Sequence, residues 1–488
     1  MKKITIVCSL LATISLYSQQ IQKVDLDEAI NIALKNNNKL KISKTSIKIA
    51  QQMYKQAMSA NYPTIDLNII GMRMDQDPTY DMVGTTIVDN TATKAIYNSL
   101  SQAALADGDN VLSATYAGIS AATPDQSVLP IDMEVKVANR DSLVSQINMQ
   151  YPLYVGGKIQ ALQQQAKLGK KIAQVGYERD KNQVILDVKK YYYSVVLTKQ
   201  LKQLSSDTLS RMEFLKELTS RLYQGGSMHV KKTDYLRSKL SVNLIKSLDN
   251  KISQKEELAK SALLNAMGLR WEDEIEIKDQ ILEEPIMSEQ MDSLIKKAYQ
   301  FNPDFNTLNL ALDIQDAKID ESKSDFLPHI GINASAQNIK NSYDFGIVND
   351  NNKNSWTLGI GATWSLFNGG KTTHEVEQKR LEKLKLQQTK IVLEQGIALQ
   401  IKQAFLNMKS AYEQFLTLKE AVVTAKQNRE LNTRAYQEDM VQTKDVIESQ
   451  LFEAYTQGDF YKAQYDYAVA KAQLDYIVGV ATKENKRR

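Results

Sequence analysis

The chain has 488 residues, and its formal net charge of +4 is small for that length, so it offers no basic stripe of the kind that binds nucleic acid. Its single cysteine, Cys8, excludes a disulfide-stapled scaffold. Only eight residues are proline, and none lies within 153–284 or 329–488, which leaves two stretches suited to very long helices.

The first residues have the pattern of a secretory signal peptide. Met1-Lys2-Lys3 precedes an apolar run from Ile4 to Leu16, which is too short to span a bilayer as a helix. We therefore predict a signal peptide at 1–18 and export from the cytoplasm. The apolar run continues past Cys8, and Val7 stands where a small residue is usual, which disfavours lipid attachment at this cysteine.

An internal repeat divides the rest of the chain into two similar halves. The segment Leu153-Tyr-Val-Gly-Gly-Lys158 returns 213 residues later as Leu366-Phe-Asn-Gly-Gly-Lys371. Tyr223 recurs 213 residues later as Tyr436, whereas Asp234 and Asp445 are 211 residues apart. The segment from Tyr436 to Asp445 is therefore two residues shorter than the segment from Tyr223 to Asp234. Because these landmarks keep their order, each half is predicted to run helix, strand, loop, strand, long helix, turn, helix.

The predicted domains follow this repeat in chain order. The first repeat covers 19–268 and comprises a helix at about 25–60, strands at about 62–74 and 141–154, the long loop 75–140 between them, and a helical hairpin at 157–268. A linker region covers 269–302 and contains the breaker Pro285 and a short helix at 288–300. The second repeat covers 303–479 and comprises a helix at about 303–326, strands at 328–340 and 354–367, and a helical hairpin at 370–479, before a basic tail at 480–488.

The four predicted strands alternate apolar and polar residues with period two. In the clearest one, Trp356, Leu358 and Ile360 oppose Thr357 and Gly359. The polar faces carry few formal charges, and lengths of about 10–13 residues suit tilted membrane strands.

Aromatic residues on the apolar faces are candidates for the membrane interfaces. Trp356 and Trp364 are eight residues apart, which corresponds to roughly 20 Å along the membrane normal and would place one in each interfacial girdle. Tyr151 on the second strand is a further candidate. The alternative is a soluble sandwich that packs these apolar faces on each other.

Four strands are too few for a membrane barrel, since small barrels need about eight and an open sheet edge does not occur in lipid. If the strands lie in the membrane, the barrel must therefore be shared between chains. The loop 75–140 is expected to face outward, as long loops of outer-membrane barrels do, and its alanine-rich part within 92–122 suits a short helix.

Two predicted helices are longer than any compact domain. Gly157 to about Arg221 and Lys371 to about Tyr436 place apolar residues three or four positions apart, which favours coiled-coil packing. About 65 residues at 1.5 Å each give a helix of roughly 100 Å.

Taken in order, these features resemble the outer-membrane factor family that includes TolC. The helix from Leu26 to Leu34, followed by Asn36-Asn37-Asn38, is similar to the opening helix of the family, and Asn302-Pro303-Asp304 to the start of its second half. The junctions between helices and strands are matched by Tyr62-Pro63, Leu327-Pro328, Gly156-Gly157 and Gly369-Gly370. The resemblance covers nearly the whole mature chain.

The resemblance implies a mixed α and β membrane protein with two internal structural repeats. A long α-helical coiled-coil barrel would continue into a transmembrane β-barrel shared between three chains, with four strands from each chain. Such a homotrimer would sit in the outer membrane lipid of a Gram-negative bacterium, with its helices in the periplasm. It would be a passive conduit of a tripartite efflux or type I secretion system, exporting small molecules or proteins with a periplasmic adaptor (membrane fusion) protein and an inner-membrane transporter.

The resemblance also implies a gate at the periplasmic end, where the paired helices turn. The matching residues are Asp445, Glu448, Asp234, Thr233 and Tyr436. Asp445 and Glu448 match two acids of the family's gate, although the second is the longer carboxylate here, and Val441 stands where the family often has an arginine. Rings of acidic residues make cation-selective constrictions, but a solvated helix face is the alternative interpretation.

No catalytic, cofactor or metal site is predicted. The three histidines have no metal-binding spacing with one another or with a cysteine, and the sequence has no phosphate loop or Ser-His-Asp order. The chain is therefore not expected to be an enzyme. The alternative function is a secreted or periplasmic structural coiled-coil protein without channel activity, which would form a soluble rod.

Overall fold

A computed structural model describes residues 22–77, 79–82, 85–130, 133–136, 139–279, 281–287, 290–341 and 353–481. The predicted signal peptide, most of the short loop expected near 340–353 and nearly all of the predicted basic tail lie outside these residues. The described residues belong to two compact units. One comprises residues up to 49, 170–311 and from 386 onward, and the other comprises 50–169 and 312–385.

The first half of the chain contains an opening helical segment, two long strands with an insertion between them, and a helical hairpin. Its elements are β1 (Gln22–Val24), α1 (Leu26–Asn36), α2 (Asn38–Ser59), β2 (Thr64–Arg73), β3 (Thr79–Met82), β4 (Thr85–Asp89), α3 (Thr91–Ala106), α4 (Asn110–Ala122), β5 (Gln126–Pro130), β6 (Met133–Lys136), β7 (Asp141–Val155), α5 (Lys158–Gln224) and α6 (Lys232–Met267).

The second half repeats this order without the insertion. Its elements are β8 (Ile275–Ile277), α7 (Met291–Phe301), α8 (Pro303–Ser324), β9 (His329–Asn341), β10 (Asn354–Thr363), α9 (Lys371–Gln437) and α10 (Thr443–Val478). The four helices of the repeat have 11, 22, 67 and 36 residues in the first half and the same four lengths in the second.

Three expectations about these elements were wrong. The helix expected at about 25–60 is two helices, because Asn37 adopts an extended backbone that ends α1. The loop 75–140 contains two helices, α3 and α4, and four short strands rather than one short helix. The last strand ends at Thr363, paired with His329, so Trp364 lies beyond it. The residue before His329 is Pro328, which has no N–H to continue the ladder.

The four long strands form one antiparallel sheet in the order β10-β9-β7-β2. The register aligns residues of like polarity across the sheet. One apolar row consists of Leu67, Ile147, Ala336 and Trp356, and the adjacent polar row consists of Asn68, Gln146, Gln337 and Ser355. Around these rows the sheet therefore has one apolar and one polar face, as the alternation predicts. Nearer the insertion, the polar face carries one apolar row, Ile70, Val144 and Ile339. A short parallel pair, β1 with β8, lies in the other unit.

The helical unit has an apolar core in each half. The first core groups residues of α1, α5 and α6, including Ile30, Tyr192 and Leu263. The second groups residues of α7, α9 and α10, including Leu294, Met408 and Leu474. Burial raises the pKa of Tyr192, whose hydroxyl donates to the Asp279 carboxylate at 2.7 Å.

The same junction closes each of these cores. Asn37 follows α1, and its Nδ2 donates to the carbonyl of Ala266, in the last turn of α6, at 2.7 Å. Asn302 follows α7, and its Nδ2 donates to the carbonyl of Ile477, in the last turn of α10, at 2.8 Å. Gly268 and Gly479 end α6 and α10 with left-handed backbones, as glycine allows.

None of the helices in the described part of the chain is long and apolar enough to cross a membrane.

Candidate functional site

The candidate gate residues lie at the turns that join the helices of each hairpin. Residues 225–231 connect α5 to α6, and residues 438–442 connect α9 to α10, so the turns differ by the two residues that the repeat predicts. Left-handed backbone occurs at Gly226 (φ +76°) in the first turn and at Asp439 (φ +60°) in the second. Glycine adopts this conformation freely and aspartate tolerates it, so both turns can be tight.

Asp234 and Asp445 hold equivalent places, at the third residue of the second helix in each hairpin. Asp234 Oδ2 accepts a hydrogen bond from the backbone N–H of Lys231 at 2.9 Å. Asp445 Oδ2 accepts from the N–H of Gln442 at the same distance. Both carboxylates therefore cap a helix N-terminus, where negative charge is also favoured by the helix dipole. This is a structural task that spacing alone did not indicate.

The other predicted gate residues differ in burial. Thr233, in the first turn of α6, and Glu448, in the second turn of α10, are both exposed to solvent. Tyr436 is half-buried, and its hydroxyl lies 3.1 Å from the hydroxyl of Thr443 across the turn. Burial raises the pKa of Tyr436 above its ordinary value. Its counterpart in the first half, Tyr223, is 40% exposed.

An apolar cluster joins the two hairpins near their turns, which we call the tip cluster. It consists of Met212, Leu215, Val242, Ile245, Val446 and Ile447, with Tyr436 and Val441 packed against it. The cluster therefore brings together α5 and α6 of the first half with α10 of the second. The predicted gate residues of both halves lie near the turns of the two hairpins that this cluster connects.

A charged group that sequence reasoning missed lies next to the tip cluster. Glu453 of α10 forms ion pairs with Arg211 of α5 at 3.3 Å and with Arg429 of α9 at 2.8 Å. Arg211 Nε also donates to Gln450 Oε1 at 3.0 Å. Glu453 thus connects three helices from both halves. In the sequence these residues appear only as charged positions within an apolar repeat. Their pairing was not predictable because the partners lie far apart in the chain.

The apolar face of the sheet is uncovered in the single chain. Its most exposed side chains are Ile65, Leu67, Ile69, Ile147, Trp356, Leu358 and Ile360. Trp356 is 78% exposed on β10, and Trp364, just beyond that strand, is 57% exposed and donates from Nε1 to the carbonyl of Phe326. Tyr151 is half-buried on the same face of β7. An apolar face of this extent marks a surface that contacts lipid or another protein.

The two strand–helix junctions share one backbone geometry. Gly156 and Gly369 have φ values of +63° and +66°, and each is followed by a second glycine with positive φ, Gly157 or Gly370. These left-handed pairs turn the chain from the end of a strand into α5 or α9. Glycine is the residue that adopts such φ values at little cost.

Within the described ranges, no group of three or more histidine, cysteine, aspartate or glutamate residues is placed to hold a metal ion. The acids that do cluster, such as Asp25 and Glu28, are paired with a lysine, Lys278.

Comparison with known proteins identifies the family. The model of the outer membrane efflux protein family matches residues 29–242 and 294–480, and the chain belongs to that family. It is therefore an outer-membrane protein of the TolC-like type, which confirms the resemblance that the sequence motifs indicated. No curated protein matches the chain.

Solved outer-membrane channels share the fold at low sequence identity. The CmeC outer membrane channel of Campylobacter jejuni is 15% identical, with a TM-score of 0.67 over 94% of this chain and 88% of that one. VceC of Vibrio cholerae is 14% identical, with a TM-score of 0.67 over 93% and 96%. The open state of the MtrE outer membrane channel of Neisseria gonorrhoeae is 14% identical, with a TM-score of 0.66 over 93% and 89%. The likeness extends to nearly the whole of each chain.

Proposed function

We propose that this protein is the outer-membrane conduit of a tripartite efflux or type I secretion system. Three copies form a twelve-stranded barrel, to which each contributes β2, β7, β9 and β10, and their long helices extend into the periplasm. The conduit is passive. It receives small molecules or proteins through a periplasmic adaptor protein from an inner-membrane transporter that supplies the energy.

The sheet carries this proposal. Its apolar face is exposed, its polar face is rich in uncharged side chains, and β2 and β10 each have a single hydrogen-bonded neighbour among the described strands. An unpaired strand edge does not occur in lipid, so a sheet of four strands in the membrane requires edges from other chains. A closed ring of three copies satisfies both edges.

Aromatic residues set the depth of this barrel. In this arrangement Trp356 and Tyr151 belong to the lipid face, where amphipathic rings favour the interface, and Trp364 belongs to the periplasmic end of the sheet. The glycine pairs at 156–157 and 369–370 then mark the level at which the barrel passes into helices.

The gate of the conduit lies at the hairpin turns. Three copies of Asp445 and Glu448, with Asp234 and Thr233 nearby, ring the inner mouth and favour cations, and Tyr436 holds the turn closed. The same turns are the docking site for the adaptor. Asp445 therefore has two roles in this proposal: its hydrogen bond caps the helix, and its charge contributes to the acidic ring. Different substitutions are needed to separate the two.

The test of the conduit is fractionation followed by electrical recording. The chain is expressed with its signal peptide, extracted from the outer membrane, cross-linked to count subunits and placed in a planar bilayer. We expect cross-linked trimers in the membrane fraction and small cation-selective currents. Entirely soluble material with no current would overturn the proposal and favour a structural coiled-coil rod.

The gate is tested with variants that remove charge but retain the cap. Asp445→Asn with Glu448→Gln keeps an acceptor oxygen for the Gln442 N–H, so the turn remains folded. We expect weaker cation preference and larger current than in the wild type. Glu438→Gln, an exposed acid in the same turn, is the matched control and should leave both unchanged. Equal selectivity in all three proteins would place the selective ring elsewhere.

A further inference from the structure

The insertion between β2 and β7 does not extend away from the sheet. Its two helices, α3 and α4, form a hairpin over the polar face. Tyr116 of α4 is buried, and its hydroxyl hydrogen-bonds to Gln337 Oε1 of β9 at 3.0 Å and accepts from Gln146 Nε2 of β7 at 3.4 Å. Gln146 and Gln337 are register partners on the two central strands. The hairpin is therefore anchored at the middle of the polar face.

The hairpin has contacts of its own between its two helices, and its interface with the sheet is partly open. Tyr97 stacks on Tyr116 with ring centroids 6.3 Å apart, and the hydroxyls of Ser101 and Ser113 are 2.9 Å apart between the two helices. Toward the sheet, a cavity of about 560 Å³ lies beside the Tyr116 anchor, lined by apolar residues of the helices and by polar residues such as Asn333, Ser335 and Thr357. Such a gap is unlike the close packing of a permanent core.

The polar face is the face that a membrane barrel turns toward its lumen, because the apolar face must contact lipid. This step rests on the proposed function. A ring of twelve strands spaced ~4.8 Å apart and tilted by ~40° is about 24 Å across. A helix with its side chains is ~10 Å wide, so the six helices of three hairpins would cover roughly the whole cross-section.

The composition of the hairpin suits contact with its own copies. Residues 91–123 include only three charged side chains, those of Lys94, Asp107 and Asp109, in a chain with 24% charged residues. Lys94 is paired with Asp125, and Leu105 on the hairpin surface is 58% exposed. Depletion of charge is characteristic of the centre of a protein interface rather than of a solvated loop.

We propose that the α3–α4 hairpins of three chains meet inside the barrel and close it, so that the conduit has a second gate, the outer gate, besides the one at the helical turns. Export then requires each hairpin to leave the polar face. The Tyr116 hydroxyl and its two glutamine partners form the polar contact that must break, and the cavity beside it leaves part of the interface open.

A clean deletion tests this gate. Asp89 and Gln126 are register partners on β4 and β5, so residues 90–125 can be replaced by Asn-Gly, which closes the two strands with a two-residue turn. Single-channel conductance is compared in the wild type and in the Asp445→Asn/Glu448→Gln background. We expect the deletion to raise conductance by about threefold or more, because the helices fill most of the lumen.

A cross-link gives a second test that keeps the hairpin. Since Cys8 is the only cysteine and lies in the predicted signal peptide, introduced cysteines can be modified selectively. Tyr116→Cys with Gln337→Cys is bridged by a cleavable bifunctional thiol reagent, which fixes the hairpin to the sheet. We expect conductance to fall on bridging and to recover on cleavage. In the control, Ser101→Cys with Ser113→Cys, the bridge lies within the hairpin and should leave conductance unchanged.

The outcomes separate this inference from the proposed function. Channels whose conductance is unaffected by both the deletion and the Tyr116–Gln337 bridge would overturn the outer gate and leave the conduit intact. Absence of current from every variant, including the wild type, would remove the conduit itself and the outer gate with it.

Discussion

The two halves of the molecule are compared most directly at their glycine junctions, which share sequence and backbone conformation but not surroundings. A side-chain carbon placed on Gly156 would lie 2.5 Å from the carbonyl oxygen of Ser324 and 2.9 Å from Leu327 Cβ. One placed on Gly369 would meet nothing within 4 Å. The repeat therefore preserves the conformation of the turn in both halves but packs it in only one.

Strand order explains this difference. Gly156 follows β7, which lies between β2 and β9, and so it turns beside the chain that enters β9. Gly369 follows β10, which has one neighbour among the described strands. Equivalent residues of the repeat thus occupy a central and an edge position. In the proposed trimer, the neighbouring subunit would lie beside Gly369.

The largest expected effect comes from substituting these glycines. Gly156→Ala combines a left-handed backbone with a clash against Ser324, and we expect a loss of about 3 kcal/mol in unfolding free energy, against about 1 kcal/mol for Gly369→Ala, which bears only the backbone cost. Urea unfolding of the purified protein, followed by circular dichroism, measures both. A similar large loss in both variants would show that a neighbouring chain fills the space beside Gly369.

The paired asparagines give the next largest effect. Asn302→Ala removes a buried hydrogen bond to the carbonyl of Ile477 and should cost about 2 kcal/mol, whereas Asn37→Ala, at a half-buried site, should cost about 1 kcal/mol. The same unfolding measurement applies. Equal losses would mean that burial at these two junctions does not set the strength of the contact.

The capping aspartates should behave alike in the two halves. Asp234→Ala and Asp445→Ala each remove the acceptor for an N-cap N–H, and we expect about 1 kcal/mol from each. Asp234→Asn and Asp445→Asn retain an acceptor and should lose less. If Asp445→Asn destabilises the chain as much as Asp445→Ala, the charge of this residue rather than its hydrogen bond stabilises the turn.

The smallest expected effect is a difference in pH response between α1 and α7, the first helices of the two halves. A hydrogen bond from the Glu28 N–H lowers the pKa of Asp25. A hydrogen bond from Lys278 lowers the pKa of Glu28, and Lys278 also hydrogen-bonds to Asp25. Since the folded pKa of each carboxyl group lies below its own ordinary value, this stabilisation is present above about pH 4 and is lost as the pH falls through the folded values.

Hydrogen exchange measured between pH 3 and pH 6 tests this difference. The N-terminal amides of α1 should lose protection at low pH, while α7, which begins after Gln290 without a side-chain cap, should change less. The Lys278→Met variant should weaken the pH dependence in α1. The same response in α7 and in α1 would show that acid acts on the helical unit as a whole.

Much of the fold followed from local patterns. Repeated landmarks from Leu153 to Asp445 set the two halves, period-two alternation set the four long strands, and the absence of proline allowed helices of 67 residues. These signals depend on neighbours a few positions apart in the chain, which is why they can be read without coordinates. The family resemblance was carried by their order.

Contacts between distant residues were decided only by the tertiary structure. The ion pairs of Glu453, the junctions of Asn37 and Asn302 with helix ends more than 170 residues away, and the anchoring of Tyr116 to the polar face of the sheet have no local pattern. The two glycine pairs read alike in the sequence, and only strand order made one packed and the other open. Local periodicity determines which elements form, whereas the choice of partners depends on which surfaces the folded chain brings together.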